Sequence, residues 1–305
     1  MSTAPMTSAQ FRSIVEPILN KAFDGIYDQR ADEWKGVFRQ FEGTKRNSHE
    51  EPVLYGMPAA PELPDGTPVQ YSGGGVLYIA RYRYRVYGQA FAITQVLQED
   101  GDHIRIGSLF SRHLAQSLIE TEETNAANIL NRSFNSSYTG GDLVSLVNSA
   151  HPVVRGTQSN VLATAANLSQ TSLEQMLIQI RKAKDSAGRR IRLIPQKLIV
   201  SPDNMFQAET ILNSVLRPGT ANNDINPIRS IGLLPKGVTT ITRLTSSTAW
   251  WVQNEVTEGL KKANRRNMQR AMEGDFETGS MRYKATMRYV FGWTDWRDLY
   301  GTAGV

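Results

Sequence analysis

Near the end of the chain, Met281, Tyr283, Ala285, Met287, Tyr289 and Phe291 alternate with Arg282, Lys284, Thr286 and Arg288. A period of two puts the first set on one face of a strand and the second on the other, so the pattern predicts a long strand with a buried face and a cationic face. The strand runs into Gly292, Trp293, Thr294, Asp295, Trp296 and Arg297, a compact aromatic and charged corner. Chain ends normally carry little apolar mass. A terminus this rich in Trp and Tyr must dock on its own domain or on a neighbouring chain.

A second alternation runs from Val76 to about Val96, with Ala80, Tyr82, Tyr84 and Val86 on one face and Arg81, Arg83 and Arg85 on the other. Before it lie short β-type runs at Gly36–Phe41 and Val53–Tyr55, a Pro-rich acidic stretch with the turn Pro64, Asp65, Gly66, and a Gly73–Gly75 hinge. The region reads as a long twisted hairpin with few large aliphatic residues in its outer half. An isolated hairpin is marginal in water, so this one is expected to lie on a partner surface.

Elsewhere the period changes to that of helices. Residues Ile104 to Phe134 carry apolar positions in four-residue steps, which predicts a spine helix of ~30 residues, or roughly 45 Å at 1.5 Å per residue. No heptad continues far enough for a coiled coil. Ser8 is placed to cap a helix to about Ala22 with Phe11, Ile14, Val15, Ile18 and Leu19 on one face, and Pro17 should kink it. Nothing nearby in sequence covers that face, so it reads as an arm packed on something distant, such as another subunit. Ser172 is placed to cap a helix carrying Leu173, Met176, Leu177 and Ile180, and Leu193–Val200 reads as a buried strand. A helix follows Ser201, Pro202 and Asp203, then a long loop at 217–236 and strands near Thr239–Leu244 and Ala249–Val252.

Composition narrows the picture modestly. The chain of 305 residues can bury a full core and hold two domains, and its net charge of +5 with 29 acidic residues permits contact with nucleic acid without requiring it. It has no cysteine, which excludes disulfides and thiolate metal sites and suits a reducing compartment. No signal peptide or membrane-spanning run is visible, which fits a soluble, cytosolically made protein.

Catalytic constellations are missing. The histidines, His49, His103, His113 and His151, have no helical metal-ligand spacing, and His113 reads as a packed or interface residue. No phosphate loop and no nucleophile motif is present, so neither catalytic residues, cofactor nor metal is assigned. Glu120, Glu122 and Glu123 cluster on the spine helix, where a solvated or salt-bridged face outweighs an acid–base pair. The Arg81 to Arg85 strand, with Tyr82 and Tyr84 interleaved, reads as an inter-subunit strand, because Tyr and Arg project to opposite faces. Lys261, Lys262, Arg265, Arg266 and Arg270 fit a solvated connector, a DNA-facing surface or a set of salt-bridge donors to an adjacent chain equally well. A nucleic-acid-binding module using this cluster and the Arg/Tyr strand is the alternative function.

Five stretches stand out together: Tyr87–Thr94 leading into the spine helix, Thr171–Glu174, Leu198–Ala208, Ala249–Trp251 with Gly259 and Leu260, and Asp275–Thr278 with Arg288, Trp293 and Trp296. In their order and spacing they resemble tailed-phage major capsid proteins, most closely the Mu-like major head subunit group. The resemblance spans about 35–301 and implies an α+β fold. Its parts would be an N-terminal arm (1–35), an extended hairpin loop (36–97), a peripheral domain (98–145 and 266–305, spine helix about 104–134) and an axial domain (146–265). It implies a structural protein that assembles through hexamers and pentamers into an icosahedral shell around double-stranded DNA. The shell would form part of a virion assembled in the host cytoplasm. Scaffold, portal and decoration proteins would be separate chains, with no membrane involved. Inter-subunit contacts are then expected at Arg81 to Arg85, Phe11, Ile14, Glu120, Glu122, Glu123, Trp293, Trp296 and Arg297.

Overall fold

The alternation at 281–293 becomes β11 (Met281–Trp293), whose Met281, Tyr283, Ala285, Met287, Tyr289 and Phe291 are all buried. The structure is a computed structural model that describes residues 8–44, 46–69, 71–100, 103–218, 224–275 and 277–305, without the side chains of 8–13. Strand β11 is central in a four-stranded sheet of order β1-β10-β11-β4, built from β1 (Arg39–Glu42), β10 (Leu260–Gly274) and β4 (Arg85–Ile93). Strand β4 and β10 flank β11 antiparallel, and β1 runs parallel to β10. The segment at 261–270, expected as a connector or charged surface, is therefore a sheet strand.

The expected single strand from 76 to 96 is divided. Strands β2 (Ser48–Tyr55) and β3 (Gly75–Arg83) form a separate two-stranded ribbon, and at Tyr84 the chain changes partner to become β4. Ala80, Tyr82 and Tyr84 are buried as the pattern requires, whereas Val86 is exposed. A short helix α2 (Gln95–Glu99) follows β4.

Helix α3 (His103–Asn131) is the expected spine. Helix α1 (Ser8–Tyr27) runs five residues further than the sequence suggested and continues through Pro17. Its Val15, Leu19 and Phe23 are buried within the chain itself, so the distant surface the arm packs on belongs to the same chain rather than to another subunit. The cover is α3, nearly a hundred residues away, and it approaches closely because Gly107, Ser111 and Ala115 repeat at four-residue spacing on its buried face. A Cβ on Gly107 would stand 3.1 Å from Leu19 Cδ2. Ser111 Oγ donates to the Leu19 carbonyl at 2.8 Å.

The remainder forms a second layer. A small hairpin, β5 (His151–Pro152) and β6 (Thr157–Gln158), precedes α4 (Gln170–Arg181). The cap of α4 is Ser169 rather than Ser172; the two close a reciprocal capping box in which each hydroxyl accepts the other's backbone N–H. Strand β7 (Pro195–Val200), helices α5 (Met205–Asn213) and α6 (Pro227–Ile231), then β8 (Val238–Thr240) and β9 (Trp250–Asn254) follow. The second sheet has the order β12-β9-β7-β8, with the C-terminal β12 (Leu299–Thr302) at its edge. Sheet membership therefore differs from the expected domain limits. Strands β1 and β4 leave the 36–97 loop for the first sheet, and β12 leaves the 266–305 segment for the second, because hydrogen-bond ladders rather than sequence proximity define the layers.

Candidate assembly surface

The ribbon is the least covered part of the fold. Leu54, Met57, Leu63, Val69, Val76 and Ile79 are all about half exposed or more, and Tyr71 is fully exposed. Soluble proteins rarely expose so many large apolar side chains along one ribbon unless something docks on it. The base of the ribbon, by contrast, is tied down. Tyr78 Oη donates to the Thr294 carbonyl at 3.0 Å, and Tyr82 Oη meets Thr294 Oγ1. Glu51 takes Lys261 Nζ at 2.6 Å and His49 Nε2 at 3.0 Å. Burial pushes the Glu51 carboxyl up, but the hydrogen bonds from Lys261, Thr294 and His49 outweigh it and hold Glu51 below the usual glutamate range. The ribbon is thus a clamped root with an uncovered outer half.

The spine-helix carboxylates face inward and serve the chain itself. Lys262 Nζ pairs with Glu122, sits 4.0 Å over the Trp34 ring, and is pushed below the usual lysine range by burial. Glu123 Oε2 accepts the Trp34 backbone N–H at 3.2 Å, while its Oε1 is buried without a partner. Burial pushes Glu123 up to about 7, against the lowering effect of the Trp34 N–H. Glu120, at the rim, pairs with Arg243 Nη2 at 2.6 Å. Glu122 and Glu123, expected at an inter-subunit contact, instead fasten the connector around Trp34 and strand β10 onto α3.

The C-terminal corner does the same for the two sheets. Trp296 is buried and stacks on His151 with ring centroids 4.1 Å apart. Asn160 Nδ2 donates to the carbonyls of Leu146 and Leu299, each at 2.8 Å, and its Oδ1 accepts from Asn148 N at 2.8 Å. His151 Nδ1 lies 2.6 Å from Asp142 Oδ2. Arg297 is buried and donates to the Lys184 carbonyl at 3.1 Å. Asp298 accepts from Leu260 N and Gln253 Nε2, each at 2.9 Å, and burial pushes its carboxyl up to about 6. Trp293 is half-buried over Gly140, where a Cβ would stand 2.6 Å from the indole nitrogen. Trp296 and Arg297, expected between subunits, are therefore internal.

The cationic candidates resolve individually. Lys261 and Lys262 are buried ion-pair donors, and Arg270 pairs with Asp24 of α1. Arg265 Nη1 donates to the Thr44 carbonyl at 2.7 Å and Arg266 Nη2 to Thr286 Oγ1 at 3.1 Å. Among the three open readings of this cluster, the salt-bridge reading describes Lys261, Lys262 and Arg270, but the acceptors belong to the same chain. Arg81 pairs with Glu50 across the ribbon at 2.7 Å, and Arg83 and Arg85 are exposed. Tyr82 and Tyr84 are buried at the ribbon's root, so the cations and rings do not combine into a nucleic-acid platform. Ile14 is half exposed and His113 exposed; Phe11 lies among residues whose side chains are outside the description. The reading of the sequence missed Asp142, His151, Asn160 and Asp298, since no spacing rule links residues that meet only through the fold.

A second exposed apolar group surrounds α5 and α6: Phe206, Val215, Leu216, Ile225 and Ile231. No group of side chains suited to a metal ion occurs among the described residues, nor does any helix long and apolar enough to cross a membrane.

Residues 81–301 match the model of a family described as phage capsid protein. No curated protein matches significantly. Among solved structures, the chain is similar to the capsid of the cyanophage P-SCSP1u, with a TM-score of 0.58 and 11% identity over 90% of this chain and 89% of that one. It is similar to the capsid of the native GTA particle at a TM-score of 0.58 and 10% identity, covering 90% of each chain. The bacteriophage JBD30 capsid matches at a TM-score of 0.51 and 10% identity over 99% of this chain and 74% of that one. At such identities the likeness is one of fold.

Proposed function

The chain belongs to the phage capsid protein family and has the tailed-phage capsid fold; it is a structural subunit of an icosahedral head shell, not an enzyme, and we propose that its copies join through the ribbon into hexamers and pentamers. The observation that carries this reading is the contrast between the two halves of the ribbon. Its root is fixed by Tyr78, Tyr82 and Glu51, while Leu54, Leu63, Val69 and Val76 stand in solvent. A rigid lever with an apolar end fits the body of a neighbouring copy. Exchange of such levers around a ring gives head-to-tail contacts that close by rotation. Many modest contacts in parallel then hold a shell.

In this reading the arm contributes only Ile14, Ile18 and whatever precedes them, because the rest of its stripe is occupied by α3. The apolar group around α5 and α6 lies toward the capsomer centre, as an axial domain would. The Mu-like head subunits are the subgroup whose motifs the chain resembles. Double-stranded DNA is enclosed by non-specific contact with exposed cations such as Arg83, Arg85 and Lys284. Scaffold, portal and decoration proteins are separate partners, and assembly takes place in the host cytoplasm.

Deleting residues 58–74 tests the ribbon. The full chain is expected to give closed particles in negative-stain micrographs. The deletion is expected to give folded, unassembled subunits with unchanged near-ultraviolet circular dichroism. Shells formed by the deletion variant would overturn the assignment.

A further inference from the structure

Strand β4 is an edge strand without the usual protection. It closes one side of the first sheet, and among the described residues no backbone hydrogen bond reaches its outer side along Arg85–Ala92. Natural edge strands are kept short, charged, kinked by proline or covered. The other edges here follow that rule. Strand β1 has four residues and exposes Arg39, Gln40 and Glu42; β8 has three residues. Ribbon strand β2 carries Glu50, Glu51 and Pro52, and β3 carries Arg81 and Arg83. Strand β4 has nine residues, no proline, and a single charge at its first position.

The sequence of β4 is also complementary to itself. Run antiparallel about Gln89, it sets Gly88 against Ala90, Tyr87 against Phe91, Val86 against Ala92 and Arg85 against Ile93. Small faces small, aromatic faces aromatic, and no like charges oppose each other, which are the pairings that stabilise neighbouring strands. Pairing with β11 puts Tyr87, Gln89 and Phe91 on the side of the sheet that α3 covers, because they oppose the buried Met287, Ala285 and Tyr283. Val86, Gly88, Ala90 and Ala92 lie on the open side. The flank of α3 above this edge carries Phe110, which contacts Phe91 at 5.7 Å between centroids, and Ser117, which donates to Gln89 Oε1 at 2.7 Å. His113 lies between them on the same flank and is exposed, as Phe110 is by half.

We propose that β4 pairs antiparallel with β4 of a second copy across a twofold axis at Gln89, joining two four-stranded sheets into one of eight strands. The inference rests on the shell reading above only in requiring that copies meet. An icosahedral shell contains twofold relations between its building blocks, and an isologous edge supplies such a contact where the ribbon, a head-to-tail device, does not. The pairing would satisfy the outward backbone groups of β4 and bring the Phe110 and His113 flanks of the two spine helices toward each other.

Because the chain has no cysteine, a single thiol reports the register. Opposed Cα atoms in an antiparallel pair stand about 4.5–5.5 Å apart, inside the ~4.4–6.8 Å that a disulfide spans. Gln89→Cys particles, oxidised and run on a non-reducing gel, are expected to migrate mostly as covalent dimers. The double variant Val86→Cys/Ala92→Cys, on the open face, is expected to do the same, whereas Val76→Cys on the ribbon is not. In the unsubstituted chain, the amides of 86–92 should exchange with deuterium more slowly in particles than in free subunits. Particles whose Gln89→Cys and Val86→Cys/Ala92→Cys thiols stay free would overturn the pairing and leave the shell reading intact. If Gln89→Cys does not assemble, the open-face double variant and the exchange experiment decide alone. Slowed exchange without any crosslink would assign the edge to a different strand and overturn the twofold. Failure of the unsubstituted chain to form particles at all would instead defeat the shell reading.

Discussion

Buried polar groups decide much of what single substitutions will do. Asn160 spends its whole amide on buried partners, donating to the Leu146, Leu299 and Trp296 carbonyls and holding Asn148 N–H and the His151 ring at its Oδ1, and so ties the C-terminal strand to the 142–160 segment. Asn160→Ala leaves buried backbone groups unpaired and is expected to cost about 2–4 kcal/mol in denaturant unfolding of the free subunit. A change within about 0.5 kcal/mol would show that water replaces the side chain. Glu123 gives a pH signature. Burial pushes its carboxyl up from the ordinary value of 4.5 to about 7 in the fold, so the folded chain holds this proton more tightly than the unfolded one. Stability from this group is therefore fully present below about 4.5, declines as pH rises toward about 7, and is level above. Asp298 acts in the same direction at lower pH, being pushed up to about 6. The comparison that isolates Glu123 is Glu123→Gln, expected to gain thermal stability relative to the parent at pH 8 over pH 5. An equal difference at both pH values would contradict the raised carboxyl.

Elements show where the sequence was readable and where it was not. Strand β11 and helix α3 were legible because each keeps one period along its whole length and one face buried. Strand β10 was not. Its register against β11 shifts between Asn264 and Arg266 and again before Gln269, so the inward parity flips and flips back in mid-strand and the alternation is broken. The break at Tyr84 was hidden for the opposite reason: the alternation continues across it while the partner changes from β2 to β11. The burial of α1 was invisible because its cover, the Gly107, Ser111 and Ala115 stripe, is remote in sequence. The internal roles of Glu122, Glu123, Trp296 and Arg297 were unreadable for the same reason, since a charged or aromatic side chain looks alike whether its partner is in the same chain or another. Gly107→Leu tests the docking of α1. The added side chain meets Leu19 and Ile93, where even a Cβ is at 3.0–3.1 Å. The variant should lose about 1–3 kcal/mol and expose α1 to limited proteolysis before Asp28. Unchanged protease resistance would mean that α1 can shift along α3 without detaching.

For the whole molecule, the division of labour is between what the chain closes for itself and what it leaves open. The ion pairs that join β10 to α3 and α1, the C-terminal corner and the Val15, Leu19 and Phe23 stripe of the arm are closed within the chain. The outer ribbon and the apolar group at α5 and α6 are not. A net charge of +5 is small for a chain of this length, and most cations of the basic cluster already have partners, so shell formation is expected to depend on apolar burial more than on charge. Cryo-electron microscopy of particles assembled from the full chain tests this most directly. The account predicts closed shells in which Leu54, Leu63, Val69, Tyr71 and Val76 of each subunit are buried against the body of a neighbour. Shells in which these side chains remain in solvent, or ribbons folded back onto their own subunit, would contradict it.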